Sequence, residues 1–441
     1  MKVKFKNLAK IEEAEIDKAN LTLIVGDNSL GKTLLLEAYV LFINTMKDRT
    51  NEFVKINFMR NLTFRRDGES AELSSIFNEQ NIDTPIKYDI NYDRRSEEEL
   101  ASFYLESKSA YLDILKEKIL MDDLAKTDIE VTHQEITFEQ LQASVRFRVK
   151  DDLITANLMF LGRRIAFRIR IEKELLNFED IYTEMIKRRV QNFLNRIFYE
   201  NLYQIEPILF FPSERNMYKA NAFTKSADFI SDSFSLNGKD VDMRYSESLF
   251  VTNYLKHIDR LRDWGDELSS NKSDQKLYEL LCKSMGGEPH YEDGVITSIS
   301  QENKKLPSNL FSTKQNRLVP YFMLCEGMVN SEFIIIEEPE AHMSLKSMFE
   351  LVEVVRNLMK NRKVILTSHS DVFVSLLNNM IKKDNIDAKV YELLEEDERT
   401  TLVEVEPGEF GYELSFMSEA LKRLNRETRE AFSEELDEPD E

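Results

Sequence analysis

Cysteine is almost absent: Cys282 and Cys325 are the only two in 441 residues. Two thiols cannot build the disulfide framework of a small secreted domain, so a reducing cytoplasm is the expected compartment. Long apolar runs are missing too. None approaches the roughly 20 residues that span a bilayer, so no membrane-crossing helix is expected. The opening Met1-Lys2-Val3-Lys4-Phe5 reads as a strand and not as a leader. No internal repeat is visible. Positive charge is also short. Lys and Arg number 59 against 80 Asp and Glu, for a net charge of −21. This excludes a uniformly nucleic-acid-coating surface, but a local basic groove remains open. Part of the acidity sits in Ser433 to Glu441, read as a solvated, disordered tail.

What is present is a core and a loop. Apolar residues make up 42% of the chain, enough for one large or two to three small domains. Leu21 to Val25 is a short β-favouring run. Gly26-Asp27-Asn28-Ser29-Leu30-Gly31-Lys32-Thr33 follows, a full match to G-x-x-x-x-G-K-[ST]. From Leu34 the period becomes helical, through Tyr39, Phe42, Ile43 and Met46. Strand, glycine loop and helix form the context in which such a loop cradles phosphates. Gly26, Asn28, Ser29 and Gly31 shape the cradle, in which backbone N–H groups point at phosphate oxygens. The positive end of the next helix adds to that field. Lys32 is placed to reach the β- and γ-phosphates of ATP, and Thr33 to ligate Mg²⁺.

Farther along, Phe53 to Phe64 and Ile86 to Tyr92 alternate as strands do. Ser96 to Glu99 forms a capping box before a helix to about Met121. His133 to Arg170 returns to alternation, and Leu175 to Phe198 repeats at helical spacing. Ile208 to Phe211 is a buried-strand candidate. Residues 220 to 240 are polar and weakly patterned, the mark of a mobile loop. A helical pattern from Ser246 to Met285 is broken by Gly286-Gly287, and Asp293-Gly294 marks a hairpin.

Phe333-Ile334-Ile335-Ile336-Glu337-Glu338 is an apolar run ending in two carboxylates. Parallel α/β sheets place their chemistry at this edge. Glu337 is assigned to Mg²⁺ and Glu338 to polarising the attacking water. Lys363 to Asp371 is another strand with a polar end, and His369 there is a candidate sensor of the γ-phosphate.

Together these segments resemble the ABC-type ATPases that include RecF, SMC and OLD proteins. The resemblance is greatest to the OLD-like and RecF-like AAA ATPases of bacterial defence loci. It rests on Gly26 to Thr33, on Glu337-Glu338-Pro339-Glu340-Ala341-His342 and on Thr367-Ser368-His369-Ser370. It frames residues 1 to about 380 and is weak in the middle. It implies an α/β fold: an ABC-type P-loop NTPase head with a mixed sheet and a helical insertion lobe. Residues 1–95 and 301–385 would form the head and 96–300 a helical and β lobe. A hairpin and helix would occupy 386–432, and the acidic tail 433–441.

The family's signature loop, Ser-x-Gly-Gln or similar, falls at Ser312-Thr313-Lys314-Gln315, with Lys314 where glycine is usual. In a trans arrangement Ser312 and Gln315 of a second copy would meet the nucleotide. The alternative is an ordinary N-capped helix start. His342 corresponds to the dimer seam and His369 to the switch histidine. Phe211 to Asn216 carries a Pro-x-Glu-Arg element of no firm role, and the glutamine-loop residue has no clear place.

The resemblance implies an ATPase that dimerises around ATP and hydrolyses it slowly as a switch. It would regulate a separate effector, a nuclease, in antiphage defence. OLD nucleases carry a Toprim domain after the switch histidine. About seventy residues follow His369 here, short for such a domain. The alternative is a RecF- or SMC-like DNA-binding ATPase of repair, with a basic groove drawn from Arg60, Arg65, Arg66, Arg163, Arg164, Arg168 and Lys187 to Arg189. A transporter subunit fits poorly, because Gly31 and Ser312 are far apart in the chain.

Overall fold

In the computed structural model, each residue of Leu21–Val25 is buried in a strand, as a run apolar on both faces demands. The structure describes residues 2–54, 63–66, 69–74, 77, 86–91, 97–119, 126–131, 143–150, 152–160, 162–172, 177–203, 208–213, 274–292, 295–301, 304–325, 333–409 and 411–433. The chain divides into two compact units. One comprises Lys2–Val40, Asp123–Asp128 and Glu206–Glu441. The other comprises Leu41–Asp122 and Ile129–Ile205.

The first unit is α/β, built on a mixed sheet. Its strands run in the spatial order Ile208–Phe211, Phe333–Glu337, Lys363–Ser368, Leu21–Val25, Ala388–Glu396, Arg399–Val405, Ile11–Asp17 and Lys2–Leu8. The first five are mutually parallel. Register aligns Glu337 with Thr367 and Thr367 with Ile24. The acidic strand, the histidine strand and the phosphate-loop strand therefore end along one edge. Helices Gln275–Met285, Leu345–Leu358 and Asp371–Asp384 bury Leu281, Val354, Val355, Phe373 and Leu377 in the core shared with Leu23, Ile334 and Leu366. Each starts from a side-chain cap, Asp274, Ser344 and Ser370 in turn. Gly286, at φ 84°, ends the first of them in the left-handed region, as Gly286-Gly287 implied. Glu288–Glu292 and Val295–Gln301 pair antiparallel around residues 293 and 294.

The second unit holds an antiparallel sheet in the order Arg163–Arg170, Leu153–Phe160, Ala143–Lys150, Ile86–Asn91, Thr63–Arg66 and Glu69–Ala71. One face buries Val145, Phe147, Ile154, Ala156 and Leu158. Helix Phe178–Tyr203 buries Tyr182, Ile186 and Val190, and helix Glu97–Ile119 buries Tyr111, whose ring meets Phe42 edge-on at 5.5 Å.

One expectation is corrected. The strand predicted from Phe53 does not form there, because helix Lys32–Val54 extends through it. Met46, Thr50, Phe53 and Val54 keep a helical phase. The Thr50 hydroxyl donates back to the Met46 carbonyl at 2.6 Å, and Phe53 packs on Phe103 with centroids 4.6 Å apart. The predicted loop 220–240, most of the helix from Ser246, Glu214 to Asn216, Arg60 and the acidic tail after Ser433 lie outside the described residues.

Candidate functional site

The glycine loop leaves its strand buried and crests in the open. Gly26 and Leu30 are buried, whereas Asp27, Asn28 and Ser29 are exposed. The Asp27 carboxylate accepts the Asn28 N–H at 2.7 Å, and Ser29 takes a left-handed φ of 68°. Gly31 sits at φ 101°, and a Cβ there would lie 3.3 Å from the Ile11 side chain. Any other residue would strain the backbone and press on Ile11. Lys32 opens the helix, only 6% exposed, and its ammonium donates to the carbonyls of Gly26 and Asp27, each at 2.9 Å. Burial pulls its pKa below the ordinary lysine value, while Glu338, Asp27, Glu340 and Glu337 act in the opposite sense.

The next residue reaches across the sheet edge. The Thr33 hydroxyl donates to Glu337 Oε1 at 2.5 Å, joining positions 304 apart in the chain. Glu337 Oε2 accepts the backbone N–H of Ser213 at 3.1 Å. Both oxygens of this carboxylate, 5% exposed as a residue, are therefore oriented. Glu37, one helical turn beyond Thr33, faces the same carboxylate. Burial first, and the Glu337 charge second, push its pKa up to about 7.

Glu338 leaves the strand in a left-handed conformation, φ 40°. Its N–H donates to the carbonyl and the hydroxyl oxygen of Thr367, each at 3.2 Å. Its carboxylate Oε1 lies 3.0 Å from His369 Nδ1. Beyond it Glu340, 2% exposed, accepts the Ser368 hydroxyl at 2.5 Å. Lys32, Thr33, Glu337, Glu338 and His369 thus gather at one edge of one sheet. His342 follows, exposed and at φ 60°.

Ser312 and Gln315 do not join this cluster through any described hydrogen bond. Ser312 caps helix Thr313–Leu318, and Gln315 closes the capping box. The Gln315 carboxamide also donates to the Met285 carbonyl at 2.7 Å. Lys314 forms an ion pair with Glu350 at 2.5 Å, tying that helix start to helix Leu345–Leu358.

Four participants received no role from the sequence: Ser213, Glu37, Glu340 and Ser368. Glu37 alone had a usable signal, four residues after Thr33 and so on the same helix face. The others act through bonds between distant segments. Among the described residues no group of three or more His, Cys, Asp or Glu is arranged to hold a metal ion. Among them, too, no helix is long and apolar enough to cross a membrane.

A family profile described as "AAA domain, putative AbiEii toxin, Type IV TA system" (AAA_21) matches residues 21–375. No curated protein matches the chain. Solved structures that are similar include an SMC head bound to the C-terminal winged-helix domain of ScpA. It shares 12% identity over 92% of this chain and 97% of that one, with a TM-score of 0.37. The SMC head domain from Thermotoga maritima shares 11% over 92% and 98%, with a TM-score of 0.34. An SMC head domain with an extended coiled coil, bound to the C-terminal domain of ScpA derived from Pyrococcus furiosus, shares 11% over 96% and 98%, at 0.35. At these identities and TM-scores the likeness has no functional weight.

Proposed function

The chain belongs to the family of P-loop AAA domains whose profile spans residues 21–375, and from that premise we propose that it binds ATP with Mg²⁺ and hydrolyses it at the edge just described. The observation that carries this reading is the Thr33 hydroxyl hydrogen-bonded to Glu337 Oε1 at 2.5 Å, directly after the phosphate loop. A hydroxyl and a carboxylate are the hard oxygen donors that Mg²⁺ takes, and a single protein carboxylate suits an ion that keeps waters and phosphate oxygens as its other ligands. Bound there, Mg²⁺ supplies charge neutralisation on the β- and γ-phosphates.

The chain's own residues have distinct tasks. Gly26, Asn28, Ser29 and Gly31 form the cradle. Lys32 exchanges its two carbonyl partners for phosphate oxygens. Thr33 and Glu337 hold the ion, and the Ser213 N–H keeps Glu337 turned toward Thr33. Glu338 polarises the attacking water, and His369 orients Glu338 and meets the γ-phosphate.

A second copy completes the pocket in this proposal, with Ser312 and Gln315 approaching the nucleotide from the partner. Exposed apolar side chains support self-association. Leu345 and Phe349 are 55% and 56% exposed, and Val372 is 46% exposed, all at the starts of helices that leave the same edge. ATP then works as a switch between open and closed pairs, slow hydrolysis resets it, and a separate effector, a nuclease, reads the state in antiphage defence. The family's description, which names a "putative AbiEii toxin" of a type IV toxin–antitoxin system, supports a two-component arrangement. Purified protein should hydrolyse ATP and leave DNA intact with Mg²⁺ present. DNA cleavage by the chain alone would overturn this division of labour.

A second reading, a RecF- or SMC-like DNA-binding ATPase, is favoured by one observation. Register places Arg146, Arg148, Lys150, Arg164, Arg168 and Arg170 on the outer face of three adjacent strands. Those strands, residues 143–150, 153–160 and 163–170, hold no Asp or Glu. The basin above Arg148, Lys150, Thr155, Arg168 and Arg170 encloses about 510 Å³. Of the residues first considered, Arg164 and Arg168 belong to this face. Arg189 lies instead against the Phe167 ring, 5.7 Å from its centroid. Binding of duplex DNA that weakens steeply with salt, with the slope falling by about 1 per cation removed, would support this reading. No binding at low salt would end it.

A further inference from the structure

The turn after the acidic strand carries a third carboxylate that the roles above leave unused. Glu340 is 2% exposed. Its Oε1 accepts the Ser368 hydroxyl, while its Oε2 is buried with no hydrogen-bond partner among the described residues. A buried, half-satisfied acid is costly to a fold and calls for a reason.

The reason lies in what Ser368 does next. Its oxygen accepts the Ser370 N–H at 3.1 Å, and the Ser370 hydroxyl oxygen accepts the Phe373 N–H at 3.3 Å to start helix Asp371–Asp384. His369 stands between these two serines. On the other side, the Glu338 N–H is held by both oxygens of Thr367. The Glu338–His369 contact is therefore stitched on two sides. One stitch joins Glu338 to Thr367 and the other joins Glu340 to Ser368. Glu338 also needs such support, because its left-handed φ of 40° is unfavourable for a side chain of this size.

We propose that Glu340 is a positioning residue of the hydrolytic site, which acts through Ser368 to fix the loop Thr367–Ser370 and so the spacing of His369 from Glu338. It rests on the ATPase reading above. Burial raises the Glu340 carboxyl above the ordinary range, against the opposing pull of the Ser368 hydrogen bond. A neutral group of the same shape should therefore serve in its place.

The experiment is a double-mutant cycle on the full chain, with kcat and KM for Mg·ATP and the binding of a fluorescent ATP analogue measured for each variant. Glu340→Ala and Ser368→Ala should each lower kcat by roughly ten- to hundredfold, the scale of a misplaced reacting group, with analogue binding unchanged. The double variant should be no worse than the poorer single. Glu340→Gln, whose carboxamide oxygen still accepts the Ser368 hydroxyl, should restore kcat to near the wild-type value. A Glu340→Gln variant as slow as Glu340→Ala would overturn the proposal. So would losses that multiply in the double variant, or unchanged kcat in Ser368→Ala. If Glu340→Ala does not fold, Glu340→Gln and Ser368→Ala still decide the matter. Failure of the underlying reading looks different: the wild type itself would show no ATP turnover.

Discussion

At the sheet edge, the Thr33 hydroxyl and the carboxylates find their partners in other segments of the chain. Thr33 is met by Glu337, Glu337 by Ser213, Glu338 by Thr367 and Glu340 by Ser368. In the helix that starts at Ser312 the capping partners are neighbours. Ser312 and Gln315 close a capping box across three residues, although Gln315 also donates to the Met285 carbonyl and Lys314 pairs with Glu350. The first region exists only once the whole unit has folded, so its geometry is set before any ligand arrives. Preorganised groups of that kind act without reorganising at the moment of reaction. The cap at Ser312 is local. Its serine must give up a local bond before it can serve a phosphate on another copy.

The sharpest way to break this comparison is at Glu338. Glu338→Gln keeps the backbone bonds to Thr367 and removes the charge that polarises water. Steady-state turnover should fall by about 10²- to 10⁴-fold, the usual worth of a general base, while ATP binding persists. Sedimentation with Mg·ATP should show that variant held as a closed pair. Unchanged turnover would assign the base elsewhere.

Ser312→Ala is a smaller test. Loss of the cap should cost about 1 kcal/mol in a denaturant titration. Any fall in turnover beyond that shared with other caps would indicate a role in trans, and unchanged turnover would confine Ser312 to capping.

The smallest effect concerns Glu37. Its folded pKa, about 7, lies above the ordinary value of 4.5, so the folded state favours the protonated form. Stability from this group is complete below pH 4.5 and is lost as pH rises through 7. In EDTA and without nucleotide, Glu37→Gln should flatten that decline. A parallel pH profile for the two proteins would contradict the assignment.

Much of the edge was legible in the sequence because its signals are local. The change from strand to helix period around Gly26 to Thr33 needs only adjacent residues, and the Phe333 to Ile336 run announces where Glu337 and Glu338 emerge. The histidine strand is read the same way. What was not legible depends on register. Ser213 holds Glu337 only because Ile208–Phe211 pairs in parallel with Phe333–Glu337, and no pattern within either strand says so. Ser368 looks like one polar residue among several until Glu340 is brought beneath it. Phe53 was misread for the opposite reason. An apolar residue among polar ones fits both periods, and Phe103, which decides between them, lies fifty positions away. The outer cationic face was half visible: Arg164 and Arg168 drew notice, whereas pairing with Leu153–Phe160 and Ala143–Lys150 adds Arg146, Arg148 and Lys150.

The central claim is that one chain's glycine cradle and acidic edge hold a nucleoside triphosphate. It is tested most directly by calorimetric titration of ATP, with Mg²⁺, into the wild type and Lys32→Ala. Loss of a charge-assisted bond to phosphate, about 3 kcal/mol, should weaken binding roughly 100-fold. Equal affinity in the two proteins would contradict the account.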